Sequence, residues 1–151
     1  MRALLVVGAA LLVTASGSAS VTKPATLARS VVVESTTGSP ERAWETMHPA
    51  EQRVATRAHF GYCVRRNRGQ RLYPTRVKVL KVTPVRISRH EIPQHSGWTV
   101  RILVTQQIGG HSERTPWPLQ VVRTRHGLRW LLDKSTYDGY RRYQQSQDLC
   151  P

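Results

Sequence analysis

The stretch that decides the fold is Trp98–Ile108, WTVRILVTQQI, the longest clean two-residue alternation in the chain. One side of this alternation is apolar apart from Gln106, and its members are Trp98, Val100, Ile102, Val104 and Ile108. The other side is polar apart from Leu103. Because successive side chains of a strand point to opposite faces, the pattern predicts a half-buried strand. We expect the other strands to pair around it and the N-terminal helices to cover its apolar face.

The preceding segment, Thr75–Ser88, predicts a bent strand. Its apolar positions change parity between Val79 and Leu80, and they change back by Val85. A flat strand cannot hold all of them on one face, so we expect a β-bulge or bend near Val79–Leu80 and another near Pro84. These bends imply a curved sheet. The residues between this strand and Trp98 are expected to form a loop.

Two more strands follow the central one. Gly109-Gly110 is a hairpin signal, and Thr115–Thr124 alternates after it. Arg125-His126-Gly127 predicts a second turn, and Leu128–Leu132 alternates as the last strand. The polar tail Tyr137–Leu149 is expected to be irregular or a short helix.

Helical patterns precede the strands. We expect one helix within Val21–Gly38, a second that starts at Ser39-Pro40 and stops at His48-Pro49, and a third over Arg57–Arg66 capped by Thr56. A turn joins the last two. The predicted fold class is α+β, with the N-terminal helices packed in the concave face of a curved, cone-like, four-stranded antiparallel sheet.

The first twenty residues have the pattern of a signal peptide. Arg2 precedes an apolar run, Ala3–Ala15, and small residues follow it. A membrane anchor is the alternative, but a span needs roughly 20 apolar residues, more than this run offers. We expect a secreted protein cleaved near Ala19-Ser20, a single domain over residues 21–151, and no transmembrane helix in the mature chain.

The cysteine count and the charge agree with secretion. The chain has two cysteines, Cys63 and Cys150, and an even pair in a secreted chain predicts one disulfide that ties the C-terminal tail to the middle of the chain. Lys and Arg number 23 against 9 Asp and Glu. Such a charge favours an anionic envelope polymer as partner, although a codon bias towards Arg would produce the same composition.

Two basic runs become neighbours if the disulfide forms. They contribute a candidate polyanion patch of Arg65, Arg66, Arg68, Arg141 and Arg142. Phosphate contacts, with stacking on nearby tyrosines, would hold a polyanion there. The sequence contains no nucleic-acid-binding motif, so nucleic acid is not an expected partner. A solvated basic surface is the alternative.

The segment Ala43–Pro49, AWETMHP, followed by Phe60 and Cys63, resembles a pattern found in secreted bacterial members of the nuclear transport factor 2-like (SnoaL-like, cystatin-like) superfamily. Leu128-Arg129-Trp130 is similar to the strand that ends such domains. The resemblance implies a cone-shaped fold that hosts isomerases, dehydratases, cyclases and many non-enzymes. Enzymes of the family place an Asp, alone or with His or Tyr, inside the cone, whereas no inward position predicted on the strands here is ionisable.

These observations lead to a candidate ligand pocket and to a function. The pocket candidates are Trp44, His48, Tyr62, Trp98, Gln106, Trp117 and Trp130, and the alternative for the tryptophans is ordinary core packing. We expect no metal site, since His90 and His95 lack helical spacing and a third ligand, and we expect no cofactor. The expected function is a secreted, non-catalytic binding module for an apolar small molecule or an anionic envelope polymer. A small-molecule enzyme is the first alternative, and a polyanion-binding protein is the second.

Overall fold

The computed structural model describes residues 23–68, 72–89, 91–108 and 110–151. Its elements are α1 Pro24–Thr36, α2 Pro40–Glu45, α3 Pro49–Gln52, α4 Arg57–Arg68, β1 Leu72–Arg89, β2 Ile92–Ile108, β3 His111–Thr124, β4 Gly127–Leu131 and α5 Lys134–Arg142. The strands form one antiparallel sheet in the order β1-β2-β3-β4, so the predicted α+β class and four-stranded sheet are confirmed. In the described ranges, no helix has the length and apolarity to cross a membrane. The predicted signal peptide, Thr22, Gly69, His90 and Gly109 lie outside these ranges.

Trp98–Ile108 lies at the centre of this sheet, as its pattern predicts. β2 pairs with β1 on one side and β3 on the other, and Val100, Ile102 and Val104 are fully buried. Residues paired across the ladder share a face, so these three and their partners form what we call the inner face. Side chains from α1, α2, α4 and α5 complete the same core cluster: Leu27, Ala28, Val31, Val32, Ala43, Phe60, Cys63, Tyr137 and Tyr140.

The register of β1 confirms one predicted irregularity and corrects the other. It shifts between Val79 and Lys81, at the predicted bulge. At Pro84 the register is continuous, so β1 has no bulge there, and the next shift lies between Ile87 and Arg89. Proline fits here because β1 is an edge strand of the sheet, where a missing N–H is tolerated. The loop predicted before Trp98 is also wrong, since β2 already starts at Ile92.

The opposite face, which we call the outer face, has a small core of its own. Met47 forms a bridge with Trp130 of β4, where the His48 N–H donates to the Trp130 carbonyl at 3.0 Å. Beyond this bridge α3 replaces the predicted turn, and its Ala50 reaches the outer face. The outer cluster consists of Ala50, Ile87, Ile92, Val122 and Leu131. The chain therefore wraps around the β4 edge and covers a part of the outer face as well as the inner face.

Helix α4 and the tail are joined covalently. Thr56 caps α4 as predicted, its Oγ1 accepting from the His59 N–H at 3.3 Å. Cys63 and Cys150 form the predicted disulfide, with their Cα atoms 5.4 Å apart. The His59 ring also lies 2.7 Å, through Nε2, from the Leu149 carbonyl oxygen. The tail is thus fixed against α4.

Candidate functional site

A cavity of about 210 Å³ lies between the inner face of the sheet and helices α1, α4 and α5. Most of its lining is apolar and aromatic: Val31, Phe60, Val64, Trp117, Leu119 and Trp130. Its polar lining includes Gln106 from β2, Tyr140 from α5, Arg68 from α4 and Asp133 before α5. Concave apolar sites with a few convergent polar groups are typical of small-molecule binding.

Gln106 is the polar residue that the central strand presents to the cavity. It falls on the inner face because its parity is that of Val104, and it is only 8% exposed. Among the described residues, no buried side-chain nitrogen or oxygen atom lacks a hydrogen-bond partner, so the Gln106 amide is not a buried unsatisfied group. Its importance is its position in the lining of an otherwise mostly apolar cavity. A bound molecule that donates to or accepts from this amide would gain a hydrogen bond there.

Tyr140 contributes a second polar group from the opposite wall. It is 2% exposed, and its ring contacts His59 edge-on and Phe60 at a tilt. Burial raises the pKa of the Tyr140 phenol above its usual range, so the hydroxyl stays neutral. It has no hydrogen bond to the residues described by the structure. A neutral hydroxyl can orient a ligand, and it is a poor proton donor for catalysis.

Of the described residues that line the cavity, two are charged, and both have other partners. Arg68 donates from Nε and Nη2 to the carbonyl oxygens of Ser35, Glu34 and Gly38, at 2.6–2.8 Å, and so caps the end of α1. Its side chain therefore has a structural role at the C-terminal end of that helix.

Asp133 is the N-cap of α5, and its carboxylate accepts from the Thr136 N–H at 3.0 Å and from the Ser135 and Thr136 hydroxyls. Burial acts to raise the pKa of Asp133, but these hydrogen bonds outweigh it and keep the pKa below its ordinary value. A carboxylate held in this way is a weak base near neutral pH.

Of the predicted pocket residues, Gln106, Trp117 and Trp130 line this cavity. Trp130 also donates from Nε1 to the Ala43 carbonyl at 2.7 Å, which fixes its ring. Trp117 is 36% exposed and so reaches the surface. The structure therefore brings together one polar and two aromatic candidates from three successive strands.

The other pocket candidates do not line the cavity, and each has another contact. Trp44 donates to the Ala55 carbonyl at 2.6 Å, and Trp98 lies under the Arg123 guanidinium, 5.7 Å from ring centroid to Cζ. Tyr62 is exposed, and its hydroxyl accepts from Arg66 at 3.3 Å. His48 is described next.

His48 is an N-cap and not the end of a helix. Because α2 already ends at Glu45, His48 precedes α3, where its Nδ1 accepts from the Ala50 N–H at 3.2 Å. Burial lowers the pKa of His48, and the charges of His95, Arg53 and Arg129 lower it further. The ring is therefore neutral at pH 7 and serves as a hydrogen-bond acceptor.

The predicted basic patch is partly neutralised within the protein. Arg65 pairs with Glu41, and this contact lowers the pKa of Glu41 to about 2. Arg66 donates to the Asp148 carbonyl of the tail at 2.8 Å, which confirms that α4 and the tail are neighbours.

The rest of the patch is divided. Arg141 lies 3.9 Å from Glu91 of the β1–β2 connection, and Arg68 is bound to α1 as described above. Arg142 is exposed and makes no side-chain hydrogen bond or ion pair with the described residues. The five arginines therefore do not present five free charges to a partner.

The outer face holds a buried ionic group that the sequence did not indicate. The Glu51 carboxylate, 1% exposed, accepts from Arg89 Nη1 at 2.8 Å and from the Leu132 N–H at 2.6 Å. Arg89 also donates to the Gln120 amide oxygen at 2.6 Å. Burial raises the pKa of Glu51 to about 7, although Leu132 and Arg89 both oppose this shift. The group joins α3, β1 and β3.

The described residues contain no group of three His, Cys, Asp or Glu side chains arranged to hold a metal ion. No family model, curated protein or solved structure matches the chain. Any function must therefore be inferred from the geometry of the sites themselves.

Proposed function

We propose that this protein is a secreted, non-catalytic binding module of the nuclear transport factor 2-like class, which holds a small apolar molecule in its cavity at the cell envelope. The layout supports the class: helices come first, and a four-stranded antiparallel sheet with a bulge in β1 follows. A bulge increases twist and bends a strand, as a cone-like sheet requires. The helices would then occupy the concave side.

The observation that carries the proposal is the cavity of about 210 Å³, whose lining is mostly apolar and aromatic and includes the Gln106 side chain on the sheet wall. Concave apolar sites with a few polar groups are typical of small-molecule binding. A ligand that fills the cavity can form a hydrogen bond with the Gln106 amide. The neutral Tyr140 hydroxyl offers a second hydrogen bond across the same space.

The volume sets the size of the ligand. A protein cavity of about 150 Å³ lined by apolar side chains binds benzene. The cavity here, about 210 Å³, fits a body of one or two fused rings. The expected ligand class is therefore a small aromatic or alicyclic compound with one hydroxyl, amine or carbonyl group.

The charges around the cavity favour binding over catalysis. General acid–base chemistry needs a group with a tuned pKa that is free to exchange a proton. Asp133 and Arg68 are committed to the ends of α5 and α1, and the Tyr140 phenol stays protonated. An isomerase, dehydratase or cyclase would need a free base that this lining does not supply.

Binding of 2-naphthol, with naphthalene as its apolar analogue, tests the proposal. We expect saturable binding by calorimetry, and we expect Gln106→Leu to weaken 2-naphthol by about 10-fold, the equivalent of one net hydrogen bond of ~1–1.5 kcal/mol. Naphthalene should bind the variant at least as well as the wild type. Gln107→Leu is the matched control, since it makes the same change one residue along on the opposite, exposed face.

The proposal fails if neither compound binds saturably, or if Gln106→Leu and Gln107→Leu have equal effects on 2-naphthol. The expectation of secretion has a separate test. N-terminal sequencing of the exported protein should find a start just after Ala19 or Ser20. Retention of the N-terminal residues in the exported protein would contradict a cleaved signal peptide.

A further inference from the structure

We propose that the outer face of the sheet binds a linear polyanion that carries phosphate groups. Five cations form this surface, which we call the outer cationic face: Arg76, Lys78, Lys81, Arg101 and Arg114. They lie on three strands and are far apart in sequence. This surface is distinct from the α4–α5 arginines and is independent of the cavity.

The pairing register places the five side chains on one face. Arg76 pairs with Thr105, which pairs with Arg114, so these residues form one row across three strands. Lys81 pairs directly with Arg101 in a second row. Lys78 pairs with Leu103 in the row between these two.

The bulge in β1 is what brings Lys81 to this face. Val79 and Lys81 have the same parity, and in a regular strand both would point inward. The register shift between them reverses the alternation, so Lys81 joins Lys78 on the outer face while Val82 pairs with the buried Val100 on the inner face. The bulge thus places Val82 on the inner face and Lys81 on the outer face.

Among the residues that the structure describes, no acid forms an ion pair with this array. All five side chains are exposed, and none makes an ion pair or a side-chain hydrogen bond with the residues in the described ranges. The acids found in ion pairs lie on the helices or at the β1–β2 connection: Glu34, Glu41, Glu45, Glu51, Glu91 and Asp138. Glu113 of β3 pairs with Gln106 in the ladder and so has inner-face parity.

The array is dense enough for the charges to act together. The five steps from Arg76 to Lys81 cover about 16 Å at ~3.3 Å each, and three strands span roughly 10 Å. The Debye length at physiological salt is about 8 Å, so neighbouring charges reinforce each other's field. Like charges directly opposite, such as Lys81 and Arg101, destabilise a sheet, and an anion laid between them would relieve that repulsion.

A phosphate-bearing polymer fits this surface best. Three of the five cations are arginines, whose guanidinium forks match phosphate oxygens. The tryptophans of β2 and β3, Trp98 and Trp117, have inner-face parity, so they offer neither a stacking platform for bases nor an interfacial anchor for a membrane on the outer side. The outer cationic face would therefore recognise its partner through the charges that repeat along a polymer chain.

The test measures the salt dependence of binding to inorganic polyphosphate of defined length. Five neutralised phosphates give a slope of log K against log salt concentration of about −3.5, hence about 100-fold weaker binding at 200 mM than at 50 mM salt. Arg76→Gln/Lys81→Gln/Arg101→Gln should reduce the slope to about −1.4. If this triple variant does not fold, Arg101→Gln alone should give about −2.8.

The matched control is Arg65→Gln/Arg66→Gln/Arg142→Gln, which removes the same net charge from the α4–α5 region. We expect it to leave the slope near that of the wild type. Equal losses in the two triple variants would show an effect of net charge alone and would overturn the proposal, as would a loss in the control only. Binding to vesicles of anionic phospholipid without binding to polyphosphate would overturn it in favour of a membrane.

Discussion

Removal of the Cys63–Cys150 disulfide should lower the free energy of unfolding of this protein by several kcal/mol, up to about 4–5 kcal/mol. The cysteines are 87 residues apart in sequence. In the chain-entropy treatment, a closed loop of this length stabilises the folded state by about 4–5 kcal/mol, because the cross-link restricts the unfolded chain. Since domains of this size have a total stability of about 5–15 kcal/mol, the loss would be a large fraction of the whole.

The assay is urea unfolding of Cys63→Ala/Cys150→Ala beside the wild type, followed by tryptophan fluorescence. We expect a lower midpoint, and a larger m-value because the uncrosslinked chain exposes more surface when it unfolds. Reductant should shift the wild type to the behaviour of the variant and leave the variant unchanged. A loss below about 1 kcal/mol would refute the reasoning, because it would mean that the unfolded state is not restricted by the bond.

Three further changes test separate features. Folding raises the Glu51 pKa from 4.5 to about 7, so the folded state binds more protons than the unfolded state between these pH values. The free energy of unfolding should therefore fall by about 3 kcal/mol as the pH rises from 4.5 to 7. Glu51→Gln should remove this pH dependence, measured by urea titrations at about pH 5 and about pH 8. Gly97→Ala places a Cβ 2.5 Å from the Val121 carbonyl oxygen and should lower the free energy of unfolding by about 1–3 kcal/mol, measured by thermal denaturation. The loss should exceed that of Gly61→Ala, whose Cβ meets the ends of two side chains, Glu41 and Arg65, and no backbone atom. Thr56→Ala should cost about 1 kcal/mol of unfolding free energy through loss of the α4 cap; no change would mean that water replaces the hydroxyl.

Local patterns in the sequence predicted the sheet well. Three local patterns carried this prediction: the alternation from Trp98, the hairpin glycines and the parity change at Val79. Each depends only on residues that are neighbours within one strand or turn, so it can be recognised in the sequence. The bulge predicted at Pro84 is absent because the effect of a proline depends on whether its strand is central or at an edge of the sheet. Whether a strand is central or at an edge depends on the order of the strands in the sheet, and the local sequence pattern does not show that order.

The cavity was predicted only in part, for a related reason. Gln106 and two tryptophans were found from strand parity. Tyr140 was missed because the tail reads as polar, yet Tyr137 and Tyr140, spaced i,i+3 after a capping Asp133, indicate a helix with one buried stripe. The Glu51–Arg89 pair joins positions 38 residues apart, and no periodicity in the sequence indicates such a contact.

The wrapping of the chain around β4 has a consequence for solubility. An uncovered sheet edge can add strands from another copy, and the bridge between Met47 and Trp130 occupies the β4 edge. The opposite edge, β1, carries a bulge, Pro84 and several cations, each of which interrupts or repels an incoming strand. The protein can therefore keep an 18-residue edge strand in contact with water without templating its own aggregation.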